Sequence, residues 1–423
     1  MRKDMSTLKI AGPSRLFGDV SLAGAKNSAL RLLAASLLTP ETITLHNHPA
    51  SLLDGQIHIE MLRRLGKKCE QHGDDGMVIS EPGALGSRLD WEGRSIRNTL
   101  LILGALTTRS GSGAVPLPGG CNLGERTHDL HVMLLERLGA KVWEEEGMLL
   151  AVAPRGGLVG TDIHLPIRST GATENAIISA TLARGLTRIW GPHILPEVLD
   201  LIAFLRRMGA KIRVFGQEHV EVTGVEGLTG AEHCVVADNM EAITWLVAAV
   251  ITGGDIEIRG FPYRDLEVVL AHLRAAGARL YFGEDSLIVR GGSCYPIEIS
   301  TGPHPGIHSD VQPILAVWAA KARGESRITD LRFPGRYGYA IEMARMGLEY
   351  EVVGDMLKIQ GSGGKLEGTT VRALDLRAGA ALGLCGLIAE GETSITDAWQ
   401  IDRGYVRFAE KLQALGASVE WGH

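Results

Sequence analysis

Six times along its 423 residues the chain repeats one pattern. An apolar helix of small residues leads to a glycine turn and a short strand, and a loop, an amphipathic helix ending on glycine and a further strand follow. The clearest copies read ISATLARGLTRIWGPHILPEVLDLIAFLRRMGAKIRV and LVAAVITGGDIEIRGFPYRDLEVVLAHLRAAGARLYF. The terminating glycines are Gly66, Gly139, Gly209, Gly277, Gly347 and Gly416. They recur at roughly 70-residue intervals, which marks supersecondary units, and each suits a left-handed C′ position. In the third copy Val198, Leu201, Ile202, Leu205 and Met208 fall on one helical face, and KIRVF reads as a short strand. The chain is therefore α/β. Six units form either one solenoid or two groups of three. A group of three is about 200 residues, an ordinary domain, which favours two groups. The break is expected near Val235–Asn239, giving one domain over 26–236 and another over 1–25 plus 237–423. The hairpin-like stretch before Lys26 then pairs with the C-terminal half, and Lys26 lies on the crossover. Ligand sites favour such interdomain clefts.

Net charge is −6, which argues against broad electrostatic binding of nucleic acid. No apolar run is long enough to cross a bilayer, and the first residues hold no signal core, so a cytoplasmic location is expected. The five cysteines (Cys69, Cys121, Cys234, Cys294 and Cys385) show neither CxxC nor metal-ligand spacing. Disulfides and a zinc site are not expected. Four of them sit in or beside apolar segments and read as inert. The phosphate-binding GxxxxGK[ST], the dinucleotide GxGxxG and the nucleophile-elbow GxSxG are all absent.

Cys121 differs because of its neighbours, PGGCNLGERTHDLH over Pro118–His131. Gly119, Gly120 and Gly124 permit close backbone approach to a ligand. Arg126 can lower the thiol pKa and offers a fork of donors to phosphate or carboxylate. Lys26 and Asn27 in GAKNSAL stand on a turn before a helix, suited to an anion; by itself the motif reads better as a solvated lysine. Arg97, Arg336, Arg377 and Arg403 lie near glycine turns at comparable places in different repeats. Packed together they suit a small polyanion. Asp310 in HPGIHSDVQP is either a general base or, taken alone and more simply, a helix N-cap.

Taken together these motifs resemble the UDP-N-acetylglucosamine enolpyruvyl transferases (1-carboxyvinyltransferases). The matching stretches are Gly24–Leu30, Arg97, Pro118–His131, STGATEN at Ser169–Asn175, His304–Pro313, Gly335–Tyr337, DLRAGA at Asp375–Ala380 and IDRGY at Ile401–Tyr405. The cysteine loop is the most specific part, and its absence from enolpyruvylshikimate-phosphate synthases disfavours that sister family. The resemblance implies a two-domain inside-out α/β barrel of six βαβαββ repeats. It also implies transfer of the enolpyruvyl group of phosphoenolpyruvate to a uridine-nucleotide hydroxyl, by addition and elimination, with release of phosphate and with no metal or organic cofactor. Cys121 would handle the enolpyruvyl carbons, as the target of fosfomycin, and Asp310 would take the hydroxyl proton. Lys26, Arg126 and Arg403 would bind phosphate, aided by Arg97 and Arg377, while Asn27 and Arg336 would orient the reacting groups. Asp129 and Leu130, with Ser169, Thr170 and Gly171, would border the uridine diphosphate.

The departures from the family pattern lie on the acceptor side. Thr127 and His128 stand where a proline and an apolar residue are usual. Asn239 replaces an arginine and Leu195 an acidic residue, and IHSDVQP and GRYGYAI are atypical. They keep a second acceptor, UMP in nucleoside-antibiotic synthesis, beside UDP-N-acetylglucosamine in peptidoglycan precursor synthesis. A non-catalytic binding protein of the same fold is the third alternative.

Overall fold

The computed structural model describes residues 6–94, 96–118 and 128–422. Among them twelve α-helices alternate in character. The odd-numbered helices are α1 (Lys26–Ala35), α3 (Thr99–Ser110), α5 (Thr170–Ala180), α7 (Asn239–Ile251), α9 (Gln312–Lys321) and α11 (Leu376–Ile388), and they are buried almost all round. All 13 residues of α7 are buried. The small residues noted in the sequence suit this: a helix with no solvent face packs tightly only if its side chains are short or wholly apolar. The even-numbered helices are α2 (Leu53–Arg64), α4 (Asp129–Arg137), α6 (Pro196–Arg207), α8 (Glu267–Ala275), α10 (Gly338–Arg345) and α12 (Phe408–Ala414), each with one buried face.

Each even-numbered helix ends as the repeat predicts. Gly66, Gly139, Gly209, Gly277, Gly347 and Gly416 have φ of 104°, 95°, 101°, 105°, 96° and 95°. The following residue then donates its N–H five residues back: Lys67 to Leu62, Ala140 to Leu135, Ala210 to Leu205, Ala278 to Leu273, Leu348 to Met343 and Ala417 to Leu412. This is the Schellman geometry, and it turns the chain straight into the next strand.

Among the described residues five four-stranded sheets and one three-stranded sheet carry the helices. Each has the same plan: a central strand with a parallel neighbour on one side and two antiparallel strands on the other, which form a hairpin in every sheet except the one holding Thr7–Gly12 and Ser418–Gly422. In the third repeat Leu186–Trp190 runs parallel to Asp162–His164 and antiparallel to His219–Thr223. In the second repeat the parallel neighbour shrinks to a bridge between Arg88 and Ala114. Among the described residues the sheets stay separate and none closes on itself. Strand residues alternate between buried and exposed, as in HVEVT at His219–Thr223. The odd-numbered helices are therefore inside each unit, and the sheets keep one face to solvent.

The chain divides into two compact units, one of residues 24–50 and 54–236, the other of 1–23, 51–53 and 237–423. Each has its own apolar core. The stretch before Lys26 is not a hairpin. Thr7–Gly12 inserts between Gly391–Thr396 and Ser418–Gly422, while Phe17–Ser21 pairs with Asp255–Arg259 in a different sheet. The intervening residues spend their polar groups on helix ends instead of on a turn: Ser14 N–H donates to Leu387 O and Arg15 Nε to Gly253 O. In the other unit Ala231–Cys234 pairs in parallel with Ile43–His46, so the end of the third repeat completes the sheet of the first. No helix among the described residues is long and apolar enough to cross a membrane.

Candidate functional site

Within each unit many of the chemistry-bearing residues stand at the N-termini of the buried helices, where unpaired backbone N–H groups and the helix dipole favour negative charge. In the unit holding residues 237–423, α9 is preceded by a 3₁₀ turn, Ser309–Val311. Asp310 on this turn does not cap α9, which has Val311 at its N-cap and no side-chain cap. His308 accepts the Asp310 N–H instead. The Asp310 carboxylate turns inward: Oδ1 accepts from Arg336 Nη1 at 2.8 Å, and Oδ2 lies 3.5 Å from Arg377 Nε. Burial alone would raise the Asp310 carboxyl, but Arg336 and Arg377 outweigh it and hold it well below the usual carboxylate range. The simpler N-cap reading of Asp310 is thereby replaced by an ion-pair cluster.

Arg336 reaches a second carboxylate, with Nη2 3.5 Å from Asp375 Oδ2. The other Asp375 oxygen caps α11 by accepting the Arg377 and Ala378 N–H groups, each at 2.8 Å. This fixes Arg377, which is only 1% exposed. Its guanidinium lies 5.3 Å from the centroid of Tyr405, yet Nε and Nη1 make no hydrogen bond among the described residues. Burial would lower its pKa, but Tyr405, Asp310 and Asp238 keep it raised and the group charged. A buried cation with two unspent donors is costly unless something outside the chain accepts from them. Arg403 closes the 3₁₀ helix Ala398–Arg403 and donates to Gln400 at 3.0 Å. The next residue, Gly404, has no room for a side chain: a Cβ there would meet Leu376 Cδ1 at 2.2 Å, with Arg377 Nη1 at 3.5 Å. The IDRGY stretch is thus packed on the start of α11. Asn239 opens α7 behind the N-cap Asp238, and its Oδ1 is buried without a hydrogen bond among the described residues.

In the unit holding residues 54–236, Lys26 opens α1. Its ammonium pairs with Asp54 Oδ2 at 2.8 Å, the side chains being 11% and 4% exposed. The expectation of a solvated lysine is therefore overturned: Asp54, on α2, was not visible as a partner in the sequence. Asn27 beside it is half-buried. Four residues beyond Asp54, His58 meets Asn98, whose Nδ2 also donates to Leu30 O at 2.7 Å. Arg97 precedes α3 and lies close enough to His131 to act on its charge. His131 is buried and its Nδ1 sits 3.0 Å from Asn175 Nδ2, which donates to it. Burial, Arg97 and His128 push its pKa down to about 3. It is thus a neutral imidazole whose Nε2, 3.3 Å from where a Gly171 Cβ would lie, carries the proton. Ser169 caps α5, and Thr170 Oγ1 is 2.9 Å from His193 Nδ1. Asp129 and Leu130 lie in the first turn of α4. Cys121 and Arg126 lie outside the described residues.

The four other cysteines have raised thiol pKa values. Burial pushes Cys69 up to about 11 and Cys294 and Cys385 up to about 12, and it raises Cys234 despite that residue's exposed position. None has thiolate character. Among the described residues no group of three or more His, Cys, Asp or Glu is placed to hold a metal ion.

Known proteins resemble this chain along nearly its whole length. The family described as EPSP synthase (3-phosphoshikimate 1-carboxyvinyltransferase) matches residues 10–412. The chain is 39% identical over 420 residues, 98% of its length, to UDP-N-acetylglucosamine 1-carboxyvinyltransferase 2 of Carboxydothermus hydrogenoformans, of which it covers 99%. It is also 39% identical over 421 residues, again 98% of its length, to UDP-N-acetylglucosamine 1-carboxyvinyltransferase of Caulobacter vibrioides, of which it covers 97%. Among solved structures, the enolpyruvyl transferase NikO from Streptomyces tendae superposes with a TM-score of 0.89 at 26% identity, covering 99% of both chains. With a family model matched over residues 10–412 and relatives 39% identical over 98% of its length, the chain belongs to the enolpyruvyl (1-carboxyvinyl) transferase family.

Proposed function

We propose that this chain transfers the enolpyruvyl group of phosphoenolpyruvate to the 3′-hydroxyl of UDP-N-acetylglucosamine, releasing phosphate, in cytoplasmic synthesis of peptidoglycan precursors. The observation that carries the reading is the 39% identity, across 98% of the chain, to transferases named for that acceptor. In the addition step the acceptor oxygen bonds to C2 of phosphoenolpyruvate while a proton goes to C3. In the elimination step C3 loses a proton and the C2–O bond to phosphate breaks. Asp310 takes the acceptor hydroxyl proton and Cys121 serves the C3 side. Lys26, Arg126 and Arg403 bind the phosphate, with Arg97 and Arg377 holding the anionic substrates, and Asn27 and Arg336 orient the reacting groups. Asp129, Leu130, Ser169, Thr170 and Gly171 border the nucleotide.

The Asp310 ion pairs bear on this reading. A carboxylate held low by two guanidiniums is a weak base. An anion that accepts from the unspent donors of Arg377 draws part of that positive field away and makes Asp310 more basic. The base would then be armed by the substrate it serves.

A second acceptor, UMP, is kept by one observation. The chain departs from the family at positions whose surroundings are specific: Asn239 has a buried oxygen without a hydrogen bond among the described residues, Leu195 opens α6 without a side-chain cap, and His128 is paired to Glu144. The test is to incubate the protein with phosphoenolpyruvate and each of UDP-N-acetylglucosamine, UMP and UDP, alongside Cys121→Ala, and to follow phosphate release. Release with UDP-N-acetylglucosamine that is lost in the variant is the expected result. Release with UMP alone would overturn the acceptor, and release with none would overturn the enzyme reading.

A further inference from the structure

Behind the Asp310–Arg336 pair lies a buried hydrogen-bond lattice that the reaction scheme does not use. Its centre is Asp330, fully buried at the end of the strand Arg323–Thr329. Oδ2 accepts from Ser309 Oγ at 2.5 Å and from Gln312 Nε2 at 3.3 Å. Oδ1 accepts from Thr301 Oγ1 at 2.8 Å and from the Arg332 and Phe333 N–H groups, each at 3.0 Å. Gln312 uses the same amide nitrogen to reach Arg336 O at 2.9 Å, and its oxygen accepts from Tyr339 Oη.

The connectivity is one-directional. One carboxylate oxygen grips the residue just before Asp310. The other grips the start of the turn that ends at Arg336, and Gln312 ties the far end of that turn to the same carboxylate. The two residues of the ion pair come from segments 26 positions apart, and Asp330 is bonded to both. A simple loop cap would need only the two backbone N–H bonds. We infer that Asp330 and Gln312 are positioning residues for the enolpyruvyl transfer: they hold Ser309 and the Arg332–Arg336 turn in register, so that Asp310 and Arg336 face the substrates at a fixed separation.

The inference rests on the reading of Asp310 as the base, and the test separates the two. Ser309→Ala removes one link of the lattice and alters no charge. It keeps every ionisable group around Asp310: His308 on its own turn, Arg336 and Asp330 from the strand and turn beside it, Arg377 and Asp375 from α11, and Asp238 beyond Arg377. With Asp330→Asn as the second variant, both proteins are checked for a native melting transition. kcat, both KM values and the pH profile of kcat/KM are then measured with phosphoenolpyruvate and UDP-N-acetylglucosamine. A misplacement on the order of 1 Å costs roughly 10- to 100-fold, so kcat is expected to fall by that factor while the KM values change less. In Ser309→Ala the acid limb should move up toward the ordinary carboxylate range as the Asp310–Arg336 pair loosens. Folded variants with wild-type kcat and an unmoved acid limb would overturn the positioning role. Asp310→Asn runs alongside: its inactivity beside intact Ser309→Ala removes only the positioning inference, and an active Asp310→Asn removes the base reading and the inference with it.

Discussion

Replacing Arg377 with methionine tests whether the buried guanidinium belongs to the substrate or to the fold. Methionine keeps much of the aliphatic volume and removes the charge. In a structural ion pair that is fully satisfied, removing one partner costs about 3–5 kcal/mol, because the other charge is left buried and alone. Here that term is muted, since Asp310 keeps Arg336 at 2.8 Å. Two donors already without a hydrogen bond among the described residues, Nε and Nη1, disappear with the side chain, and each unmet buried donor costs about 1–3 kcal/mol. The contact with Tyr405 at 5.3 Å is lost, a cation–π term of about 0.5–2 kcal/mol. The ligand-free protein should therefore lose less than about 2 kcal/mol. Binding should respond differently. Two hydrogen bonds to a charged ligand are worth about 1.5–3 kcal/mol each, so the Kd for phosphoenolpyruvate should rise by roughly 10²- to 10⁴-fold. Urea denaturation of the ligand-free protein gives the first quantity. Calorimetric titration of phosphoenolpyruvate in the presence of the uridine nucleotide gives the second. A stability loss above about 3 kcal/mol with unchanged Kd would show that Arg377 serves the fold, and the reasoning from its unspent donors would fail.

Two further outcomes test the fold. His48, His58 and His131 have pKa values lowered to about 4, 3 and 3, in each case chiefly by burial. A folded-state pKa below the unfolded value near 6.5 means that the unfolded chain takes up protons first, so stability is full above about pH 6.5 and falls as pH drops toward 3–4. At pH 5 the loss is on the order of 2 kcal/mol per histidine, visible in urea midpoints, and the His131 ring resonances should stay unprotonated from pH 8 to 5; a ring that titrates near pH 6.5 would contradict the burial argument. Among the helix-ending glycines, Gly209→Ala and Gly277→Ala share the left-handed strain of φ near 101° and 105°, about 1–2 kcal/mol. Of these two, a Cβ at Gly277 meets backbone, Ser293 O at 2.2 Å, whereas at Gly209 nothing among the described residues lies within 4 Å. Gly277→Ala should therefore melt several degrees lower, and equal melting temperatures would refute the contact argument.

Much of the architecture was legible because the repeat is physical. A glycine at C′ of every amphipathic helix is required by the left-handed turn, and small residues are required in helices with no solvent face. What was not legible is long-range pairing. Lys26 looked like a solvated lysine because its partner Asp54 stands 28 positions away on another helix. Asp310 looked like a cap because nothing local announces that Arg336 and Arg377 converge on it. Asp330 and Gln312, in ordinary strand and helix contexts, gave no local cue at all; an aspartate just after a short strand and before a Pro-Gly turn reads as turn chemistry. The N-terminal stretch read as a hairpin because two short β runs flank a Gly-Pro pair, whereas their partners lie in two different sheets.

That last arrangement has a consequence for biosynthesis. Thr7–Gly12 leaves the ribosome well before its neighbours Gly391–Thr396 and Ser418–Gly422. At 5–20 residues per second, the nascent strand waits roughly 20–80 s for them. Over that interval the 24–236 unit, whose three sheets close entirely on residues 43–234, can complete itself. Vectorial synthesis thus favours an order in which the inserted unit folds first and the unit that brackets it folds only once those strands have emerged. Until then an unpaired strand holding Leu8 and Ile10, both fully buried in the finished protein, is left open to misassociation or chaperone capture.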